Sequence, residues 1–285
     1  MGVAIFSDFF RFFASPAFCG FCFHGFLGSA SITMMQSNFD IRDDQINLTR
    51  QILFHFYPGI IILVFYILFS NYVIELGYPG LAGLLLVELL VLPPVMFSHL
   101  AAHGKRLNGV FSFNNVIGFT ARLSVKQYIK WSLIGIVACF LIYIPLYPAG
   151  LFLRDSVFDW LPEWYFNPVF GSSDVSLIAT VFLAGILIDG IIGPVAEEIF
   201  FRGYLLPRMA YLKSWAPILN GVLFGLYHFW QPHNYLAIIG VGIVLSYVVW
   251  KTQNVYLGII IHCTLNILGA VGGYLAVSSG ELLVR

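Results

Sequence analysis

Long stretches without a single Asp, Glu, Lys or Arg constrain this sequence more than any other feature. Five such stretches run over residues 12–39, 51–74, 131–153, 214–250 and 252–280. A helix needs about 20 predominantly apolar residues to cross the roughly 30 Å of hydrocarbon in a bilayer. Each stretch reaches that length, so lipid is predicted to be the solvent of most of this chain.

The predicted fold is all-α, a polytopic helix bundle in the membrane. Two further apolar stretches are interrupted by one acid each, Glu88 and Asp189. The run 214–250 is too long for one helix, and the turn signal Gln-Pro-His-Asn at 231–234 divides it into two. Seven spans are therefore predicted, with residues 12–35 as an eighth. The seven lie at about 52–70, 80–98, 131–148, 176–196, 215–230, 235–250 and 255–275.

The composition excludes several classes of protein. Hydrophobic residues make up 59% of the 285 residues and charged ones 10%, against about 45–50% and about 25% in soluble domains. The 14 basic residues are balanced by 14 acidic ones, which leaves no electrostatic footprint for nucleic acid. A soluble protein, a disordered chain and a nucleic-acid binder are excluded, and residues 1–285 are predicted to form a single membrane domain.

The distribution of Lys and Arg predicts the orientation of the spans, because cytoplasmic loops carry an excess of these residues. We expect the connection between the second and third spans to be cytoplasmic, and the loop that holds Arg154, Asp155 and Asp159 to lie outside. The basic residues of that connection are Lys105, Arg106, Arg122, Lys126 and Lys130.

Charged groups inside a span are costly and usually mark function. Glu197, Glu198 and Arg202 lie together at the inner end of the span that begins near residue 176. On a helix Glu198 and Arg202 are four residues apart and can pair, whereas Glu197 projects about 100° away from Glu198. One carboxylate can therefore be held by the arginine while the other stays free for chemistry.

Two later spans also carry polar side chains at helical spacing. His228 follows Phe224 by four residues, and His262 and Asn266 are stacked on one face of the last span. Singly, each residue is more often a hydrogen bond between helices. Together with Glu197 they supply a carboxylate, two imidazoles and an amide, which can activate a water and stabilise an oxyanion.

The depth of these residues in the membrane presents a difficulty. By counting along the spans, Glu197 and His262 lie nearer the inner face than His228. A steep tilt, or a span that starts below the membrane plane, would bring them level. Asp189 is interpreted as an acid held by packing near Gly190, with support of the catalytic residues as the alternative, and Glu88 has no predicted partner.

The three motifs together resemble those of the CAAX prenyl protease and bacteriocin-processing family of intramembrane endopeptidases, also called the CPBP or ABI family. The resemblance covers about residues 176–275, which would be the catalytic core. The family patterns EExxxR, FxxxH and HxxxN are matched by Glu197, Glu198 and Arg202, by Phe224 and His228, and by His262 and Asn266.

The resemblance implies a role for each residue. Glu197 with His228 would activate the attacking water, while His262 and Asn266 would hold the tetrahedral oxyanion. The paired Glu198 and Arg202 would fix the loop structurally.

A metal has to be weighed because the family is also called a metalloprotease family. Zinc hydrolases usually offer three protein ligands and a separate base. Glu197, His228 and His262 could be such ligands, which would leave Glu198 as base, although Arg202 is expected to occupy it. A mechanism without cofactor is favoured, with zinc as the alternative.

The implied partners are membrane lipid and a peptide or protein substrate, which would be lipidated if it is a CAAX tail. The alternative is a catalytically silent family member that binds a peptide, as in bacteriocin self-immunity or a scaffold role. A proton-coupled transporter ranks lower, since no inverted repeat or pair of broken helices is evident. A bacterial plasma membrane is the favoured location, with the endoplasmic reticulum expected in a eukaryote.

Overall fold

The structure is a computed structural model that describes residues 44–280, and these residues lie in one compact unit. Two π-helical segments, Ile188–Ile192 and Glu198–Leu205, and the 3-10 segment Leu206–Trp215 interrupt the α-helices of the described chain. These helices are α1 (Leu48–Glu75), α2 (Gly80–Leu90), α3 (Leu92–Asn108), α4 (Val125–Ser156), α5 (Val175–Leu187), α6 (Gly193–Glu197), α7 (Ala216–Tyr227), α8 (Tyr235–Thr252) and α9 (Val255–Ser278).

The predicted helix bundle is confirmed, and the part of the chain that the structure describes contains no β-strand. Six of its helical stretches are long and apolar enough to cross a membrane, which makes the predicted number of seven wrong by one. The predicted eighth span, 12–35, lies outside the described residues. The six stretches are Leu48–Glu75, Gly80–Asn108, Val125–Ser156, Val175–Tyr227, Pro232–Thr252 and Val255–Ser278.

The difference in number comes from the stretch Val175–Tyr227, which contains the predicted span 176–196 and most of the predicted span 215–230. Its last helix, α7, has only 12 residues. Such a helix rises about 18 Å, well short of the hydrocarbon thickness of a bilayer. By length alone, helix α7 is therefore not counted as a separate span, and it belongs to the same helical stretch as α5 and α6.

This stretch folds back on itself at the 3-10 segment Leu206–Trp215. Met209 and Lys213 leave the helical region there, and Lys213 has a positive φ of 53°. The arms on either side run antiparallel, because Asn220 lies against Phe201 and Tyr227 lies against Glu197. The hairpin brings the EExxxR and FxxxH motifs face to face.

Local sequence signals set several helix ends. The side chain of Asn47 accepts a hydrogen bond from the N–H of Arg50 at the start of α1, and Ser124 with Gln127 forms a capping box at the start of α4. The side chain of Asn254 accepts from the N–H of Leu257 at 3.0 Å and so caps α9, the helix that carries His262 and Asn266.

Helix α4 shows most directly that this is an integral membrane protein. Only Gly135, Cys139 and Gly150 are buried among its 32 residues. Apolar side chains cover most of its outer surface, and Leu141 is 71% exposed. An apolar surface along the whole length of such a helix needs lipid to cover it.

A buried arginine outside the motifs ties the beginning of the described chain to the hairpin. Arg208 is completely buried and donates to Asp44 Oδ2 at 2.7 Å. His103 also contacts that oxygen at 2.7 Å. Burial alone would raise the pKa of Asp44, but the hydrogen bonds and charge of Arg208, helped by His103, bring the pKa below its ordinary value.

Candidate active site

Glu198 and Arg202 form a completely buried ion pair. Arg202 Nη1 donates to Glu198 Oε1 at 2.9 Å, and both side chains are 0% exposed. The guanidinium also donates to Ser246 Oγ at 3.3 Å and to the carbonyl of Gly242 at 3.2 Å, and it lies 3.8 Å from the centre of the Phe224 ring. These contacts join the π-helical segment Glu198–Leu205 to α7 and α8.

A second layer of polar contacts supports this pair. Ser246 donates to Asn220 Oδ1 at 2.8 Å, and Asn220 Nδ2 donates to the carbonyl of Phe201 at 3.0 Å. Asn220 Nδ2 also lies 3.1 Å from His55 Nε2 on α1. Sequence reasoning missed all three residues, and the available signal was a single polar residue inside an otherwise apolar run.

Glu197 is not part of the ion pair of Glu198 and Arg202, and its carboxylate faces the two motif histidines, His228 and His262. Its Oε1 lies 3.9 Å from His228 Nε2, and its Oε2 lies 3.8 Å from His262 Nε2. Tyr227 donates its O–H to Oε1 at 2.7 Å. The side chain is 5% exposed and has no arginine or lysine partner among the contacts of the described residues. Sequence reasoning missed Tyr227, although it is the residue next to His228.

Hydrogen bonds at Nδ1 determine how the two histidines face Glu197. His228 Nδ1 lies 2.8 Å from the carbonyl of Phe224, which can only accept, so this nitrogen carries the proton. His262 Nδ1 lies 3.0 Å from Glu198 Oε1, a carboxylate that is paired with Arg202 and likewise accepts. In a neutral imidazole with this arrangement, Nε2 has a free lone pair and points toward Glu197.

Asn266 lies on the same helix as His262 and contacts an acid. Its Nδ2 is 3.0 Å from the backbone carbonyl of Asp189 and 3.3 Å from Asp189 Oδ1. Of the two interpretations of Asp189, this contact with a motif side chain favours support of the catalytic residues over packing alone.

A cavity of about 680 Å³ joins these groups. Its polar wall includes Glu88, Asp189, Glu197, His228, His262 and Asn266. Its apolar wall includes Phe140 and Tyr143 of α4, Ile238 and Val241 of α8, and Leu265 of α9. Glu198 and Arg202 do not line the cavity, so the motif residues divide into a group that faces it and a pair behind it.

The expected mismatch in depth between Glu197 and His228 does not occur. Counting placed Glu197 at the end of a span because charged residues begin there. The helical path continues through the π-helical segment to Leu205, because Glu198 and Arg202 neutralise each other inside the protein. Glu197 Oε1 and His228 Nε2 then lie 3.9 Å apart across the hairpin that reverses at Leu206–Trp215.

The positions of the donor atoms show whether the alternative zinc ligands, Glu197, His228 and His262, are arranged to hold a metal. Both Nε2 atoms approach Glu197, but its Oε1 already accepts from Tyr227. Among residues 44–280, no group of three or more His, Cys, Asp or Glu side chains is arranged to hold a metal ion. This arrangement of Glu197, His228 and His262 does not fit a metal site, and metalloendopeptidase activity gains no support from it.

Comparison with known proteins identifies the segment that carries these side chains. Residues 179–268 match the family model described as type II CAAX prenyl endopeptidase Rce1-like. This match supports the resemblance to the CAAX protease family over that segment. All three motifs of the Rce1-like family pattern lie within the matched segment, from Glu197 to Asn266, and the family is one of proteases. Searches of curated proteins and of solved structures found no match.

Proposed function

We propose that this protein is an intramembrane endopeptidase that hydrolyses a peptide bond near the end of a CAAX-like or other membrane-associated peptide or protein. The approach of both histidine Nε2 atoms to the buried Glu197 carboxylate carries the proposal. A cavity of about 680 Å³ gives these groups access to a substrate. The Rce1-like segment supports a protease of this type.

In the proposed reaction Glu197 is the general base. A water held between Glu197 and His228 Nε2 donates one hydrogen to each and attacks the substrate carbonyl carbon. Glu197 takes the proton as the new C–O bond forms. When the C–N bond breaks, Glu197 returns this proton to the leaving amine, which leaves a carboxylic acid and an amine as products.

The negative charge on the tetrahedral intermediate needs hydrogen-bond donors. We assign this role to His262 and Asn266, which line the cavity beside Glu197. His262 Nε2 can donate when both ring nitrogens carry a proton, with Nδ1 donating to Glu198 Oε1 at 3.0 Å. Asn266 Nδ2 carries two hydrogens, so one can donate to the oxyanion while the other stays with Asp189.

The pair of Glu198 and Arg202 has no chemical step in this scheme. Their burial behind the cavity supports a positioning role, since Glu198 orients the His262 ring through Nδ1. The apolar wall contributed by α4 and α8 supports a substrate that carries a lipid or an apolar segment.

The test is proteolysis by the purified, detergent-solubilised protein on labelled peptides, prenylated and not. Glu197→Gln and Glu197→Ala are expected to lose at least about 100-fold in kcat, as for removal of a general base. Glu75→Gln is the matched control, because Glu75 lies on the exposed end of α1, and it should cleave like wild type.

A parallel assay with a metal chelator distinguishes the mechanism without cofactor from the zinc-dependent one. Activity that resists chelation and depends on Glu197 supports the proposed reaction. Loss on chelation with recovery on zinc would keep the protease and overturn the mechanism. Unchanged cleavage by both Glu197 variants would overturn the role of this residue, and binding of peptides without cleavage would favour a silent binder.

A further inference from the structure

A buried acid outside the three motifs lines the same cavity. Glu88 of α2 is 8% exposed and contributes to the cavity wall. Its Oε2 is completely buried, and no hydrogen-bond donor in the described part of the chain reaches it. A buried carboxylate oxygen without a donor is costly, which indicates that a proton fills this position.

The neighbour of Glu88 is another acid. Glu88 and Asp189 lie within hydrogen-bond reach of each other, although they come from α2 and from the π-helical segment Ile188–Ile192. Two ionised carboxylates at such a distance repel each other strongly in a buried site, so one proton has to lie between them.

Asp189 connects this pair to the third motif. Its backbone carbonyl and Oδ1 both accept from Asn266 Nδ2, at 3.0 and 3.3 Å. When Asp189 accepts a hydrogen bond from protonated Glu88, its carboxylate is held in one orientation. Oδ1 then stays in place as the acceptor for Asn266. The amide of Asn266 is then held with its nitrogen toward Asp189 and cannot turn over freely.

We propose that Glu88 and Asp189 share one proton and together act as positioning residues that orient Asn266 on the cavity wall. This inference rests on the proposed endopeptidase function for its catalytic consequence. The shared proton itself does not depend on that function.

The groups that face the pair are consistent with a single shared proton. Glu197 of α6 interacts electrostatically with Glu88, and His262 of α9 interacts with Asp189. No arginine or lysine among the described residues forms a salt bridge with either acid. Two negative charges would therefore have no compensating cation at the pair.

Infrared spectroscopy of the purified protein tests the shared proton without any substrate. Wild type at neutral pH should show the carbonyl stretch of a protonated carboxyl group, and this band should be lost in Glu88→Gln and in Asp189→Asn. Glu197→Gln should keep the band, which assigns it to the pair. An unchanged band in Glu88→Gln would overturn the proposal.

Kinetics test the positioning of Asn266. Glu88→Gln still donates to Asp189 and should keep kcat within about threefold, whereas Glu88→Leu should lower kcat by about 10- to 100-fold with little change in KM. In an Asn266→Ala background, Glu88→Leu should have no further effect on kcat, because Glu88 acts through the amide. Additive losses in this double-mutant cycle would overturn the positioning role.

The two experiments separate this inference from the proposed function. A wild type that cleaves no peptide would count against the endopeptidase, while the infrared band would still decide whether the pair shares a proton. A wild type that cleaves, with Glu88→Leu equal to Glu88→Gln, would overturn the inference and leave the endopeptidase intact. Leu90→Ala, on the exposed face of the same helix, controls for general damage to α2.

Discussion

Replacing Arg202 with methionine is expected to destabilise the protein by about 3–5 kcal/mol, because it leaves the carboxylate of Glu198 buried without a counter-charge. Both side chains are 0% exposed and lie 2.9 Å apart. After the substitution, His262 Nδ1 at 3.0 Å is the only remaining contact of Glu198 among its polar contacts in the described residues. The loss is large because water cannot reach the abandoned charge.

Replacing the other partner of the ion pair, Glu198, should destabilise the protein less. In Glu198→Gln the guanidinium keeps its contacts with Ser246, with the carbonyl of Gly242 and with the Phe224 ring. An amide oxygen at position 198 can also still accept from Arg202. We expect a loss of about 1–2 kcal/mol. The double variant should lose less than the sum of the two, since it leaves no unpaired charge.

The assay is thermal unfolding in detergent, followed by tryptophan fluorescence. At about 2–4 °C per kcal/mol for a chain of this size, Arg202→Met should lower Tm by about 10 °C. Arg154→Met is the matched control, because Arg154 forms an exposed ion pair with Asp155 at 2.6 Å, and such pairs contribute about 0–1 kcal/mol. Equal Tm losses for the two arginine variants, or strictly additive losses in the cycle, would refute the reasoning.

Three further outcomes are expected. Gly258→Ala places a methyl group against Glu198 Oε2 and should cost about 1–3 kcal/mol in unfolding, whereas Gly272→Ala on the same helix meets nothing and should be neutral. Tyr227→Phe removes the 2.7 Å hydrogen bond to the proposed base and should lower kcat about tenfold in the peptide assay; a change within twofold would contradict its role. Asp44 has a lowered pKa in the folded protein, so its contribution to stability is present above about pH 4 and is lost as the pH falls through the folded value. Acid unfolding curves of wild type and Asp44→Asn should therefore converge at low pH, and a constant difference would argue against the ion pair.

The sequence determined the solvent and the class of fold. Runs without charge, such as 51–74 and 131–153, allow no arrangement except helices in lipid, because every backbone polar group in hydrocarbon must be paired within the segment. The spacing of Glu198 and Arg202 was equally decisive, since residues four apart on a helix lie side by side. The structure has them in contact.

The number of spans could not be counted from charge alone. A charged residue marks the end of a span only when its side chain must reach water. Glu198 and Arg202 of the EExxxR motif pair with each other inside the protein and do not need water. The helical path therefore continues beyond Glu197, and the following helix returns as a 12-residue arm. The physical reason lies in a tertiary contact that hydropathy does not contain.

Only the tertiary structure decided which groups meet in the cavity. Glu197 and His262 are far apart in sequence, and their approach depends on how α6, α7 and α9 pack. Glu88 and Tyr227 belong to no motif, and a lone acid or tyrosine in an apolar run gives no sign of its partner. The sequence determined which side chains are too polar to lie in lipid, and the packing of the helices decided which of them lie together.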